Sequence, residues 1–185
     1  MQTKSLTLYF NQTVWRSIAA ISVFTILTAL TAKITVYLPF TPVPVTLQTL
    51  AVVLSGLVLG ARGGALAQLA YLGLIATGLP LDAKGLGPAA LFGPTAGYLI
   101  GFAPAAFAAG WLAERFAIKS WWGNFVAAIV GALVIYAVGA SWLAVMLGSW
   151  QTAWVAGVAP FILIDLGKAA IAAGVAESGK RLFLS

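Results

Sequence analysis

The stretch SWWGNFVAAIVGALVIYAVGASWLAVMLGSWQTAWVAGVAPFILI, residues 120–164, contains no charged side chain. One membrane crossing needs roughly 20 apolar residues, so this run is far too long for a single span. Leu147-Gly148-Ser149-Trp150-Gln151 is its natural turn. The rest of the chain has the same character. Of 185 residues, 62% are hydrophobic and 8% charged, against about 45–50% and about 25% in soluble domains. A water-soluble surface needs about a quarter to a third charged residues. A soluble fold is therefore excluded, and the mean hydropathy of +1.02 makes lipid the solvent.

Working outward from that run divides the chain into an all-α membrane protein of six spans, near 14–36, 45–59, 64–79, 91–111, 123–147 and 152–176, in one integral-membrane domain over 1–185. The second and third spans are short, which points to tilt, a break or partial re-entrance. Between them, Gly60-Ala61-Arg62-Gly63-Gly64 reads as a tight turn. Pro39-Phe40-Thr41-Pro42-Val43-Pro44 favours extended geometry, because each proline lacks a donor and restricts the residue before it. The one sizeable loop is Pro80-Leu81-Asp82-Ala83-Lys84-Gly85-Leu86-Gly87-Pro88. Lys4, Arg16, Arg62, Arg115, Lys119, Lys180 and Arg181 fall on the side of the N-terminus, whereas only Lys33 and Lys84 fall on the other. Both termini are expected to be cytoplasmic. Trp15, Trp111, Trp121, Trp122, Trp150 and Trp154 lie near span ends and read as interfacial anchors. The first apolar run exceeds a signal peptide's usual core and reads as a retained helix.

Absent residue types narrow the chemistry. Without Cys or His the chain has no thiolate, no imidazole base and no expected metal or haem site. Gly167-Lys168 and Gly179-Lys180 lack the rest of a phosphate-binding loop. No catalytic residue, cofactor or ATPase is expected. The net charge of +6 comes from basic residues scattered singly along a hydrophobic chain, which argues against nucleic acid as a partner.

Asp165 and Lys168 carry the sharpest signal. A charge at mid-membrane costs about 2.5–3.5 kcal/mol on insertion scales, and their i,i+3 spacing puts both on one helix face. A self-neutralising salt bridge is the plainer reading. Since apolar replacements of such a pair are often neutral, its presence favours a polar ligand. Pro160 implies a kink or helix start just before the pair. Thr46, Gln48 and Thr49 form a second polar group, able to serve a ligand or a neighbouring helix. Asp82 and Lys84 lie in the long loop on the same face, where solvation is the ordinary fate of a charge. Gln48, the 80–94 loop and the 165/168 pair converge on one membrane face, and a pocket there is the economical reading. Gly93, Gly97 and Gly101, followed in step by Ala105 and Ala109, form a helix-packing stripe, with Gly93-Pro94 placed to shape the site. Ala169, Ala172, Ala173 and Ala176 offer a similar surface for internal packing or for a partner helix.

Pro42-Val43-Pro44-Val45-Thr46-Leu47-Gln48-Thr49, Gly78-Leu79-Pro80, Leu91-Phe92-Gly93-Pro94-Thr95-Ala96-Gly97-Tyr98-Leu99, and Pro160-Phe161 with Asp165 and Lys168 resemble the BioY family, the biotin-binding S components of energy-coupling factor (ECF) transporters. The resemblance runs from about residue 15 to the end. It implies the ECF S-component fold and a multi-pass protein of the bacterial inner membrane that captures biotin at the extracytoplasmic face. The implied partners are a transmembrane coupling protein and two cytoplasmic ATPases, besides membrane lipids, with a homo-oligomer as a further candidate assembly. Asp165 and Lys168 would form the polar core, with Asp82, Lys84 and Gly85 in a loop closing over the ligand. Biotin has a ureido ring with two N–H donors, a thiophane ring and a valerate carboxylate. Asp165 can accept from ureido N–H, Lys168 or Lys84 can meet the carboxylate or the ureido oxygen, and Phe92 and Tyr98 can enclose the bicycle.

Two other classes compete. An autonomous proton-coupled transporter would use Asp165 as proton carrier, but the sequence shows no clear internal repeat. An intramembrane enzyme lacks a second membrane carboxylate and a base for any serine. For docking to a coupling protein, the first helix offers only the loose small-residue pairs Thr25/Ala29 and Thr28/Ala32.

Overall fold

A computed structural model describes residues 2–116 and 120–184, with side chains described for 14–116 and 120–179. Lys119 and the side chains of Lys4, Lys180 and Arg181 lie outside the described residues. The chain forms α1 (Gln2–Lys33), β1 (Thr35–Val36), β2 (Val45–Thr46), α2 (Gln48–Ala76), α3 (Ala96–Arg115), α4 (Trp121–Leu147), α5 (Trp150–Gly157) and α6 (Ile162–Leu184). A short 3-10 turn, Gly87–Leu91, sits in the loop before α3. Residues Val14–Lys33 of α1, together with α2, α3 and α4, are long and apolar enough to cross a membrane. The α5–α6 pair, bent by 52°, makes a fifth crossing if read as one broken span.

The segment α2 consists of two helical arms that reverse direction at a kink. A straight helix would put Gln48 and Tyr71 about 35 Å apart, yet Gln48 Nε2 donates to the Tyr71 hydroxyl over 2.7 Å. The reversal occurs at Gly60, whose φ of 77° and ψ of 179° lie outside the helical region. Glycine adopts that conformation without penalty, and a Cβ there would also sit 1.9 Å from Glu114 Oε1. That carboxylate accepts from the Ala61 N–H, satisfying a donor left free at the start of the returning arm. The two arms, residues 48–59 and 61–76, match the two short sequence spans. At about 18 and 24 Å they are shorter than a hydrocarbon core of about 30 Å.

Small residues set the helix spacing. Between lipid-solvated helices the hydrophobic effect offers little drive, so close backbone approach carries the packing. A Cβ on Gly56 would lie 2.2 Å from the Ala106 carbonyl oxygen, and one on Gly97 would lie 2.3 Å from Trp142 Cβ. The Gly97 and Gly101 stripe packs against α4, and Ala105 and Ala109 are fully buried in the same face. Ala169, Ala172, Ala173 and Ala176 of α6 are buried as well, Ala169, Ala172 and Ala176 within a cluster that includes Val53, Leu57 and Ala128. Their small surface therefore serves internal packing. The α1 pairs likewise turn inward. Thr25 and Thr28 are buried and donate to the Ala67 carbonyl and to Gln68 Oε1. Thr25, Thr28 and Ala32 are thus taken up in packing within the chain, and Ala29 is half-buried.

Helix ends follow local chemistry. Ser120 and Ser149 cap α4 and α5, their hydroxyls accepting from Gly123 and Thr152 N–H. Gly148, with φ 67°, ends α4 in the left-handed conformation that glycine supplies. The kink or helix start expected at Pro160 is the break at 158–161 that separates α5 from α6 within the 152–176 span.

Candidate functional site

The ends of α1, both arms of α2, α3 and the α5–α6 break meet on the face opposite Arg16, Arg62 and Arg115. There Val43, Pro44, Thr46, Gln48, Asp82, Lys84, Tyr98, Phe161, Asp165 and Lys168 line one cavity of about 60 Å³. Its polar centre is on the first two turns of α6. Lys168 Nζ donates to Asp165 Oδ1 over 2.6 Å, and both side chains are 6% exposed. The Tyr136 hydroxyl, from mid-α4, donates to Asp165 Oδ2 over 2.5 Å. Each carboxylate oxygen can take two partners, and an ammonium carries three donors. Among the described residues Asp165 is the sole partner of Lys168, so both groups keep capacity directed at the cavity.

The opposite wall comes from α2 and the loop 77–95. Gln48 is 3% exposed and its amide is held by Tyr71. Asp82 is equally buried, but its carboxylate is committed to the loop: Oδ1 accepts from Gly87 N–H at 2.8 Å and Oδ2 from Lys84 N–H at 3.0 Å. The loop is tied down from outside. Lys33 Nζ donates to the Pro80 and Asp82 carbonyls, the Tyr37 hydroxyl to Ala83 O, and the Tyr71 hydroxyl to Leu81 O. Lys84 Nζ reaches across to Pro42 O over 3.0 Å. Tyr98 stands in the wall with its hydroxyl donating to Gly157 O over 2.9 Å. Its ring fits because two neighbours lack side chains: a Cβ on Gly139 would lie 2.3 Å from the ring, and one on Gly157 2.1 Å from the hydroxyl.

A family model described as the BioY family matches residues 1–185. The chain belongs to the BioY family. A relative named biotin transporter BioY from Rhizobium etli is 42% identical over 164 residues, covering 80% of this chain and 88% of its own. One of the same name from Thermotoga maritima is 39% identical over 168 residues, 90% and 97% of the two chains. A crystal structure described as the S-component for biotin from an ECF-type ABC transporter superposes with a TM-score of 0.85 at 25% identity, over 92% of this chain and 93% of that one. This BioY family member therefore has the S-component fold and is a multi-pass membrane protein.

Of the side chains singled out from sequence, Gln48, Asp82, Lys84, Tyr98, Asp165 and Lys168 converge on the cavity. Gly85 and Phe92 do not line it. Gly85, with φ 69°, closes a turn through its N–H to Asp82 O, and Phe92 points outward, 75% exposed. The carbonyl of Gly93 accepts from the Trp142 indole over 2.9 Å, tying the loop end to α4. Tyr136 is a cavity residue that the sequence alone does not single out. Its one signal is a hydroxyl in the middle of a predominantly apolar span, where a phenol needs a partner.

Proposed function

We propose that this chain captures biotin and mediates its uptake as the substrate-specific subunit of an ECF-type transporter. The carrying observation is the buried Asp165–Lys168 pair opening onto a cavity under a tethered loop. Such a pair, desolvated at a cost, supplies an acceptor and a donor where an apolar core would serve packing alone. In this reading Asp165 accepts from a ureido N–H and Lys168 or Lys84 meets the ureido oxygen or the carboxylate, while Tyr98 and Phe161 contact the apolar rings. The basic residues on the opposite face support cytoplasmic termini and a pocket mouth on the outer side. A transmembrane coupling protein and two ATPases complete the transporter, since no phosphate-binding loop occurs in this chain.

Calorimetric titration of the purified chain with biotin tests the capture step. Saturable binding that Asp165→Asn and Lys168→Ala weaken supports the reading. Binding of another vitamin but not biotin rejects the substrate. ATP-dependent uptake in vesicles only when the coupling proteins are present tests the transport step. Uptake by this chain alone, driven by a proton gradient, would instead establish an autonomous transporter.

A further inference from the structure

The polar cavity has a much larger neighbour. Between α4, α5 and α6 runs an apolar groove of about 510 Å³, lined by Leu133, Ala137, Trp150, Trp154, Ile162 and Leu166 among others. Its rim is open to lipid, with Leu133 58%, Trp150 66% and Trp154 56% exposed. Two residues, Tyr136 and Asp165, line both spaces, and they are joined by the 2.5 Å hydrogen bond. Tyr136 is therefore a wall as well as a donor. Small-molecule pockets usually span about 300–1,000 Å³, so the free volume on the polar side is small and that on the groove side ample.

We propose that Tyr136 is a specificity-determining residue: its ring partitions the substrate pocket from the lipid-facing groove, and its hydroxyl holds the Asp165 carboxylate toward the pocket. The inference rests on the biotin reading and sharpens it. The ligand's hydrogen-bond donors face Asp165, so the part of biotin next to the partition is the ureido ring. A substituent on a ureido nitrogen collides with the Tyr136 ring, whereas an extension of the valerate end does not meet it. With the ring removed, an alkyl group on that nitrogen enters the groove. Each methylene so buried gains roughly fourfold in affinity.

The test is titration of wild type, Tyr136→Phe and Tyr136→Ala, in one detergent, with biotin, ureido-N-propylbiotin and biotin propylamide. Tyr136→Phe keeps the wall, so it should reject the N-propyl compound as wild type does while binding biotin about tenfold more weakly for want of the charged hydrogen bond. Tyr136→Ala should bind the N-propyl compound at least about tenfold tighter than wild type does, with no equal gain for the propylamide. Because N-propylation removes one ureido donor in every variant alike, the decisive quantity is the change for that one compound, and a Tyr136→Ala protein with wild-type elution and thermal transition that gains no affinity for it over wild type overturns the proposal. Equal gain for both analogues also overturns it, because that marks a generally loosened pocket. If Tyr136→Ala does not fold, Tyr136→Val provides the same opening, and admission of the N-propyl compound by Tyr136→Phe refutes the wall independently. Wild type that binds no biotin would fail the underlying reading and leave a different signature.

Discussion

Removing one member of the buried pair should harm the protein far more than removing both. Lys168→Met leaves the Asp165 carboxylate 5% exposed with only the Tyr136 hydroxyl as partner. Stranding one charge of a buried pair typically costs about 3–5 kcal/mol, which for a domain of this size lowers the thermal transition by on the order of 10 °C. Asp165→Leu with Lys168→Met removes both desolvation penalties, and apolar replacements of this kind are often neutral or stabilising by about 1–4 kcal/mol. The double variant deprives Tyr136 of its acceptor, a loss of about 1–3 kcal/mol, so adding Tyr136→Phe should recover that part. The expected order of stability is Lys168→Met lowest, the double variant near wild type, and the triple variant at or above it. Biotin binding should be lost in all three. Thermal unfolding in a fixed detergent, read beside calorimetric titration, gives both quantities. A double variant as unstable as Lys168→Met would refute the view that the pair is retained for a ligand. A stable double variant that binds biotin like wild type would move the site elsewhere.

Asp82→Ala should free the loop, since two hydrogen bonds from loop N–H groups to its carboxylate are lost. At about 1.5–3 kcal/mol per charged hydrogen bond, exchange at the Lys84 and Gly87 amides should accelerate by at least tenfold, measured by hydrogen-exchange mass spectrometry. Lys33→Met removes the two tethers to Pro80 and Asp82 and leaves the cavity wall intact, so biotin should dissociate severalfold faster in a stopped-flow chase with little change in thermal stability. Gly157→Ala forces a Cβ to within 2.1 Å of the Tyr98 hydroxyl, and the displaced ring should weaken biotin binding by tenfold or more. Restoration of binding by Tyr98→Phe, which removes that oxygen, would identify the clash as the cause.

The parts of the site legible in sequence were those that violate a rule of their surroundings. Asp165 and Lys168 stand out because lipid penalises charge, and Gly60 stands out in a glycine cluster between two spans too short to be independent of a turn. Tyr136 gives a weaker signal: an aromatic residue in an apolar helix is ordinary, its hydroxyl asks for some partner, and only the geometry shows that partner to be a carboxylate. Phe92 faces outward although it shares a motif with Tyr98, because motif membership does not determine which way a ring faces. The inward turn of Thr25 and Thr28 depends on the Ala67 carbonyl and on Gln68, in a different helix, and such cross-helix partners leave no mark on local periodicity. Asp82 lines the cavity, yet its bonds to its own loop are not readable from spacing alone.

The four consecutive carbonyls from Pro80 to Ala83 each accept a hydrogen bond from a side chain outside the loop. Main-chain oxygens are common to every residue type, so these attachments are indifferent to the side chains that the segment carries. At Leu81 and Ala83 the anchorage should survive replacement so long as length and backbone path are kept. Leu81 and Ala83 can thus be replaced or decorated while Lys33, Tyr37 and Tyr71 hold their place, whereas Asp82 between them must keep the carboxylate that binds the Lys84 and Gly87 N–H groups.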